Sequence, residues 1–466
     1  MNLNDNPWPV LTLLVGCISI LVATRLKAGP LVSPFSVSMI MLMAIFGVRP
    51  LLIADDPDHS FYGRTLGEEV WFATVLGFIG VVGLAAGYFF RFMVHAKKSK
   101  SKPVQEKSSR SGIRLESSTV ILLATGAVLL WGAIMAVRFG GTGVITLMSE
   151  GRSSDVSDLL AGLPVAVYAL PAAAAFVAIY WRITTERNRP LVGSEKVIFW
   201  TSMAISIIPP AMLGNRRFIL PCIIGAVLAA TSRGWNKPVK LRIIFGSLIG
   251  FVVLASIPYI RSSGARTGDA SFFGALSDFI RSEGVSGVFT NFFTSYDTEM
   301  LDYIAYTIPR LGTDIAWGNG RATIIDIVTS PIPASLMPLP SWSNHVLIET
   351  FGASCADGIC PVPSIVGTGY FDFGTAGVLG ITFILGLLSR IFEEKFLVTD
   401  GYFLIALAIF GSLPATAVRG NLPAQLWIGF NILVAAIVLL KLAGLLTSKR
   451  KNESLAAIRP LEVSKR

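Results

Sequence analysis

VWFATVLGFIGVVGLAAGYFF, from Val70 to Phe90, runs for 21 residues without a charged side chain. At 1.5 Å per residue a helix of that length covers about 32 Å, enough to cross the ~30 Å hydrocarbon core of a bilayer. Working outward from this span near 69–90, similar stretches lie near 8–24, 30–53, 119–137, 159–181, 196–213, 217–232, 243–260, 370–389, 401–418 and 422–442. Composition agrees: of 466 residues 53% are hydrophobic and 15% charged, and mean hydropathy is +0.65. Soluble domains carry about 25% charged residues. The expectation is an all-α polytopic membrane protein with about eleven transmembrane helices, ten to twelve. MNLNDNPWP at the N-terminus has no basic residue ahead of the first apolar run, which argues against a cleaved signal peptide.

Lysine and arginine set the orientation. Arg25 and Lys27, the run Arg91–Arg114, Arg182–Arg189, Arg233–Arg242, Arg390–Lys395 and the tail from Lys449 all fall on one side of the alternating map. All fourteen lysines fall on that side. It is therefore expected to be cytoplasmic, with the N-terminus outside and the C-terminus inside. The formal charge of +10 is then mostly topology, facing anionic membrane lipids and not nucleic acid.

This map divides the chain into N-terminal transmembrane helices (1–92), a Lys- and Ser-rich disordered linker (93–118), and central transmembrane helices (119–260). A large outer segment (261–369), C-terminal transmembrane helices (370–446) and a basic cytoplasmic tail (447–466) complete it. Cys17 and Cys222 lie within spans and read as packing residues. Cys355 and Cys360, with four residues between them in the outer segment, read as a disulfide candidate in an oxidising compartment. Only His345 is near them, so no metal site is expected.

The outer segment contains Arg261, Arg266, Arg281, Arg310 and Arg321, ten acids and no lysine. Phe272, Phe273, Leu276, Phe279 and Ile280 recur at helical spacing. So do Phe289, Phe292, Phe293, Tyr296, Met300, Tyr303 and Ile304, with Asp297, Glu299 and Asp302 between them. These read as amphipathic helices lying on the membrane face of the bundle. Arg64, Arg138, Arg152, Arg216, Arg217 and Arg419 also face outward in the map. The span after Arg217 is short: sixteen steps to Arg233 cover about 24 Å. Arg216 and Arg217 are thus expected to sit slightly below the outer headgroups.

Few spans carry an ionisable residue near their centre, which argues against an ion-coupled carrier. Arginine favours phosphate, because its planar fork makes two charge-assisted hydrogen bonds and stays ionised. Most arginine–acid pairs in the outer segment read as structural salt bridges. A recessed pair such as Arg216–Arg217 suits a lipid-linked diphosphate, whose neutralisation is the main electrostatic task in breaking a sugar–diphosphate bond. A general base is also required. His345 lies four residues before Glu349, on one face if the segment is helical, and an imidazole can take a proton from an acceptor hydroxyl. The alternative is an interfacial polar residue beside Trp342.

GTGVITLMSEGR after the fourth span, LGNRRFILP between two short spans, and PVPSIVGTGYFDFGTAGVLG closing the outer segment together resemble the O-antigen polymerase (Wzy-type) repeat-unit polymerases, from about Arg138 to Arg390. The resemblance implies a GT-C-like membrane glycosyltransferase of the bacterial inner membrane, working at its periplasmic face. It would join undecaprenyl-diphosphate-linked oligosaccharide repeats without a nucleotide sugar, metal or other cofactor. A polysaccharide chain-length regulator is an expected partner. Arg216 and Arg217 match the family's outward basic turn. Arg138, Arg152, Arg261, Arg266, Arg310 and Arg321 match its periplasmic arginines as substrate-binding residues. Pro363-Ser364, Gly367, Tyr370, Phe373-Gly374 and Gly377 match its closing motif. His345 and Glu349 are the catalytic candidates on chemistry alone. The alternatives are an O-antigen ligase that transfers the glycan to lipid A-core, and a flippase of lipid-linked glycans without chemistry.

Overall fold

The computed structural model describes residues 6–25, 33–54, 59–98, 115–140, 165–212, 216–231, 298–330, 362–396 and 398–463. It also describes Arg281, Ser282, Gly284, Gly287, Thr290, Phe292, Phe293, Thr294, Ile332, Trp342, His345, Val346 and Glu349. Helices dominate: α1 (Trp8–Arg25), α2 (Pro34–Ile53), α3 (Glu68–Lys98), α4 (Ser117–Phe139), α5 (Val165–Asn188), α6 (Gly193–Met212) and α7 (Arg216–Thr231). In the C-terminal half come α8 (Met300–Thr307), α9 (321–329), α10 (Ser364–Phe396), α11 (Tyr402–Ser412), α12 (Pro414–Arg419) and α13 (Leu422–Val463). The only described sheet is a two-stranded hairpin, β1 (Ser60–Phe61) with β2 (Arg64–Thr65), turning through Tyr62 and Gly63 at positive φ.

Eight helices among the described residues are long and apolar enough to cross a membrane. Of the eleven expected spans, ten coincide with described helices and the one at 243–260 lies outside the described residues. Helix α7 is a shorter apolar helix, as its 16 residues require. α6 carries Glu195, Pro209 and Pro210, which dilute its hydropathy.

Side-chain pairs sort the helix ends into two sets, as an alternating path demands. At one end Arg187 Nη2 donates to the Phe396 carbonyl at 2.7 Å and Nη1 pairs with Asp400, while Arg91 reaches Glu394 at 3.3 Å. Tyr88 donates to buried Glu393 nearby. At the other end Asn6 donates to Thr74 at 2.9 Å and Trp8 meets Trp71 edge-on. There Arg49 pairs with Asp302.

Among the described residues α3 packs most extensively against α10, and small residues set the contact. A Cβ on Gly87 would overlap the Phe383 carbonyl, and one on Gly386 the Leu84 carbonyl. Such backbone proximity is how helices associate where lipid removes the hydrophobic drive. Gly83 faces Thr382 Oγ1 in the same seam. Gly83→Ala is expected to overpack it and cost about 1–3 kcal/mol, read as a lower unfolding temperature in detergent.

Helix α10 is two helices. Phe373 (φ −137, ψ 21) and Gly374 (φ 60, ψ −147) break it. Across the break, a Cβ on Gly369 would lie 2.8 Å from the Gly377 carbonyl oxygen. Eight residues along one continuous helix would separate them by about 12 Å, so the arms 364–372 and 375–396 fold back on each other. Every residue of the first arm is buried. This corrects the expected boundary at 369/370: Tyr370 does not open a span but sits near the tip of a re-entrant arm, and the returning span begins past the turn. Hydropathy is blind to the reversal because both arms are apolar. The glycines at 369, 374 and 377 permit it.

Helix α8 differs from expectation too. All eight of its residues are buried, Asp302 included, against α3, β1, the π-helical turn Ala44–Val48 of α2, and α10. It is an inserted plug and not a half-exposed amphipathic helix, because Asp302 has a buried cationic partner.

Candidate functional site

The tip of the re-entrant arm organises the end of the bundle that carries α8 and α9. Asp372, 1% exposed, presents both carboxylate oxygens to the first turn of α9, which begins as a π-helical turn, Arg321–Ile325. Ala322 N–H donates to Oδ1 at 3.0 Å and Thr323 N–H to Oδ2 at 2.7 Å, and the Thr323 hydroxyl donates to Oδ2 as well. Gly318 N–H donates to the Phe371 carbonyl at 2.9 Å. Gly318 itself must be small, since a Cβ there would overlap Asp372 Oδ1 and stand 2.8 Å from Trp342 Nε1. A carboxylate accepting three donors is a helix cap and not a free base. Asp372→Ala orphans those donors and is expected to cost about 2–3 kcal/mol. Faster amide exchange across α9, with the rest of the bundle unchanged, checks it.

Above this cap sit the arginines. The Arg321 guanidinium lies 5.3 Å from the Trp342 ring centroid, makes no ion pair among the described residues, and is half-exposed. His345 also packs on that indole, centroids 5.2 Å apart. The Trp342 backbone N–H donates to Asp326 Oδ1 at 3.1 Å, tying Trp342 to α9. A second group surrounds Tyr306, with Arg310 at 4.9 Å and Arg64 at 5.7 Å from its ring. Arg64 also pairs with Glu69 at 2.6 Å. Rings with cations over their faces hold the charge at a fixed place without neutralising it. Trp317, exposed, meets Tyr370 edge-on at 5.6 Å.

Beneath α8 lies an ion-pair cluster that sequence reading did not single out. Arg49 Nη1 donates to the Phe293 carbonyl at 2.9 Å and to Thr298 Oγ1 at 3.0 Å, and Nη2 pairs with Asp302. His59 Nε2 stands 3.3 Å from Asp302 Oδ1. Burial pushes the Asp302 carboxyl up, but the Arg49 charge and the His59 and Arg49 hydrogen bonds outweigh it and hold it below the usual carboxylate range. Pairing could not be read from residues more than 240 positions apart.

Of the residues singled out in the sequence, the structure gathers Arg310, Arg321, Tyr370, His345 and Glu349 at one end of the bundle. His345 Nδ1 and Glu349 Oε1 are 4.0 Å apart at helical spacing, on one face and short of a hydrogen bond. Tyr370 is buried beneath Trp317 and packs on Phe72. Arg138 is exposed at the end of α4, which packs on α5, α6 and α13. Arg217 is exposed at the first turn of α7, which packs on α5, α6, α11, α12 and α13. Arg216 opens the same helix. Neither α4 nor α7 packs chiefly on the outer segment, so Arg138 and Arg217 are not brought into the Arg310–Arg321 group. Arg152, Arg261, Arg266, Cys355 and Cys360 lie outside the described residues. No family model, no curated protein and no solved structure matches this chain.

Proposed function

We propose that this protein is a membrane glycosyltransferase that polymerises undecaprenyl-diphosphate-linked oligosaccharide repeats, of the O-antigen polymerase kind, at the periplasmic face of a bacterial inner membrane. The observation that carries this reading is the Arg321 guanidinium on Trp342, without an ion pair among the described residues, beside His345 and a capped re-entrant arm. Such a face offers a fixed cation to a diphosphate, an imidazole to an acceptor hydroxyl, and indole surface to sugars. In the proposed step the acceptor oxygen forms a bond to the donor's anomeric carbon as the bond to the diphosphate oxygen breaks. His345, with Glu349 on its face, takes the hydroxyl proton, and the diphosphate leaves as an anion held by arginine. The N-terminus is then periplasmic and the C-terminus cytoplasmic, as the lysine distribution supports.

Deletion of the gene, followed by sizing of the surface polysaccharide, tests the reading. A polymerase-null strain carries single capped repeats. Long chains that persist but stay unattached to lipid A-core make ligase the correct activity, and unchanged polysaccharide overturns both.

A further inference from the structure

An exposed indole stands on the loop between Arg310 and Arg321. Trp317 is 37% exposed, whereas Trp342, on whose ring Arg321 rests, is 2% exposed. The proposed function calls for indole surface that a sugar can reach, and of these two rings only Trp317 offers it. The loop that carries it is closely held. The Arg310 carbonyl accepts the N–H groups of Asp314 at 3.0 Å and Ile315 at 2.9 Å, and Gly312 N–H donates to the Ile315 carbonyl at 2.8 Å. Leu311 and Ile315 are buried and anchor this turn. Gly318 N–H donates to the Phe371 carbonyl, and Arg321 N–H to the Gly318 carbonyl at 3.0 Å. The far end of the loop is thereby fastened to the re-entrant arm and to the start of α9.

The indole itself is fixed in place. Gly312 has φ 86, which glycine adopts without strain, and a Cβ there would lie 3.1 Å from Trp317 Nε1. The ring thus packs on the Gly312 backbone, with Tyr370 edge-on beside it. An indole placed in advance loses little rotamer freedom when a ligand arrives. Asp314 and Asn319 are exposed on the same loop and bring polar groups to it. Helix α9 sets the level at which the loop lies. Its Ala322 and Asp326 are buried, while Ile324, Ile325 and Val328 are exposed. In a membrane protein a short helix with one apolar face open lies along the bilayer surface. Trp317, four residues before Arg321 at the start of α9, therefore stands at headgroup level.

We infer that Trp317 is the platform for the sugar next to the diphosphate of a lipid-linked glycan. A pyranose presents a face of C–H bonds, which packs on the electron-rich face of an aromatic ring, while its hydroxyls need polar partners at the rim. Trp317 supplies the ring, and Asp314 and Asn319 supply the rim. The first sugar of such a glycan is bonded directly to the diphosphate, so its platform belongs close to a phosphate-binding cation. The loop that carries Trp317 ends at Arg321. This assignment rests on the proposed function: it gives the sugar to Trp317 and the diphosphate to Arg321. A tryptophan at headgroup level can also serve as a plain membrane anchor, but an anchor takes no account of sugar.

The test titrates two probes, undecaprenyl diphosphate and the same lipid carrying one repeat unit, onto the full chain in nanodiscs of zwitterionic lipid, read by native mass spectrometry. Wild type binds the sugar-bearing probe more tightly, by about tenfold or more. Trp317→Leu, which keeps an apolar side chain, loses that difference while its affinity for undecaprenyl diphosphate is unchanged. Trp317→Tyr, which keeps a ring, retains most of it. Should Trp317→Leu fail to fold, Asp314→Ala at an exposed loop position gives the same readout: a smaller difference supports the platform and an unchanged one overturns it. No difference between the probes in wild type overturns it too. So does a Trp317→Leu variant that alters both probes alike or neither, which makes Trp317 a membrane anchor. A difference lost in Trp317→Leu, without chain extension by wild type, supports the platform while removing the polymerase reading. Chain extension by wild type, with the difference intact in Trp317→Leu, does the reverse.

Discussion

Arg49→Ala is expected to destabilise the protein by about 3–5 kcal/mol, the range for breaking a buried ion pair from one side. Arg49 and Asp302 have side chains 3% and 1% exposed, so removing the guanidinium leaves a carboxylate with neither water nor cation. The same side chain holds the Phe293 carbonyl and Thr298, so the loss spreads into the segment leading to α8. The expected result is a large fall in unfolding temperature and easier proteolysis near 298–307. The double variant Arg49→Met with Asp302→Leu should regain most of the loss, because a well-packed apolar pair replaces a buried ion pair at little cost. Equal stability of single and double variants would contradict this account. The pH dependence has a definite sign. A carboxyl whose folded value lies below its unfolded value, about 3.9, contributes stability that is complete above about pH 4 and lost as pH falls through the folded value. Asp302 is such a group, so it adds no slope between about pH 5 and 8 and weakens the α8 plug in stronger acid.

Arg321→Ala is expected to lower the rate of glycan chain extension about 10²–10³-fold, the effect of removing one preorganised charge stabiliser from a transition state. Folding should be intact, since the guanidinium is half-exposed and, among the described residues, makes no ion pair. Arg321→Lys should recover part of the rate: it keeps the charge but not the planar fork or the stacking. Arg310→Ala should cost less, because Arg64 shares the Tyr306 ring and leaves a cation in place. Chain-length profiles at matched protein levels check all three, and a normal profile for Arg321→Ala removes this residue from the site.

Sequence carried the architecture well where the signal was local. A charge-free run such as 70–90 needs no partner to be read as a membrane helix, and helix Glu68–Lys98 contains it. The short α7 beginning at Arg216 was legible for the same reason, from length alone. What was not legible depends on three dimensions. The reversal at Phe373–Gly374 hides inside a uniformly apolar stretch, and only the facing of Gly369 on Gly377 betrays it. Asp302 fits the polar face of an amphipathic helix until Arg49, 253 residues away, is placed beside it. Asp372 looked like part of a closing motif, and its service as the cap of α9 needed the fold. The gathering of Arg321 with His345 depends on Trp342, which the sequence offered only as a neighbour.

Purified protein in liposomes, supplied with undecaprenyl-diphosphate-linked repeat units and no nucleotide sugar, tests the central claim directly. The account predicts a ladder of lipid-linked glycans, each rung one repeat longer, lost in Arg321→Ala. Single repeats that remain unextended, with or without movement across the bilayer, would contradict it.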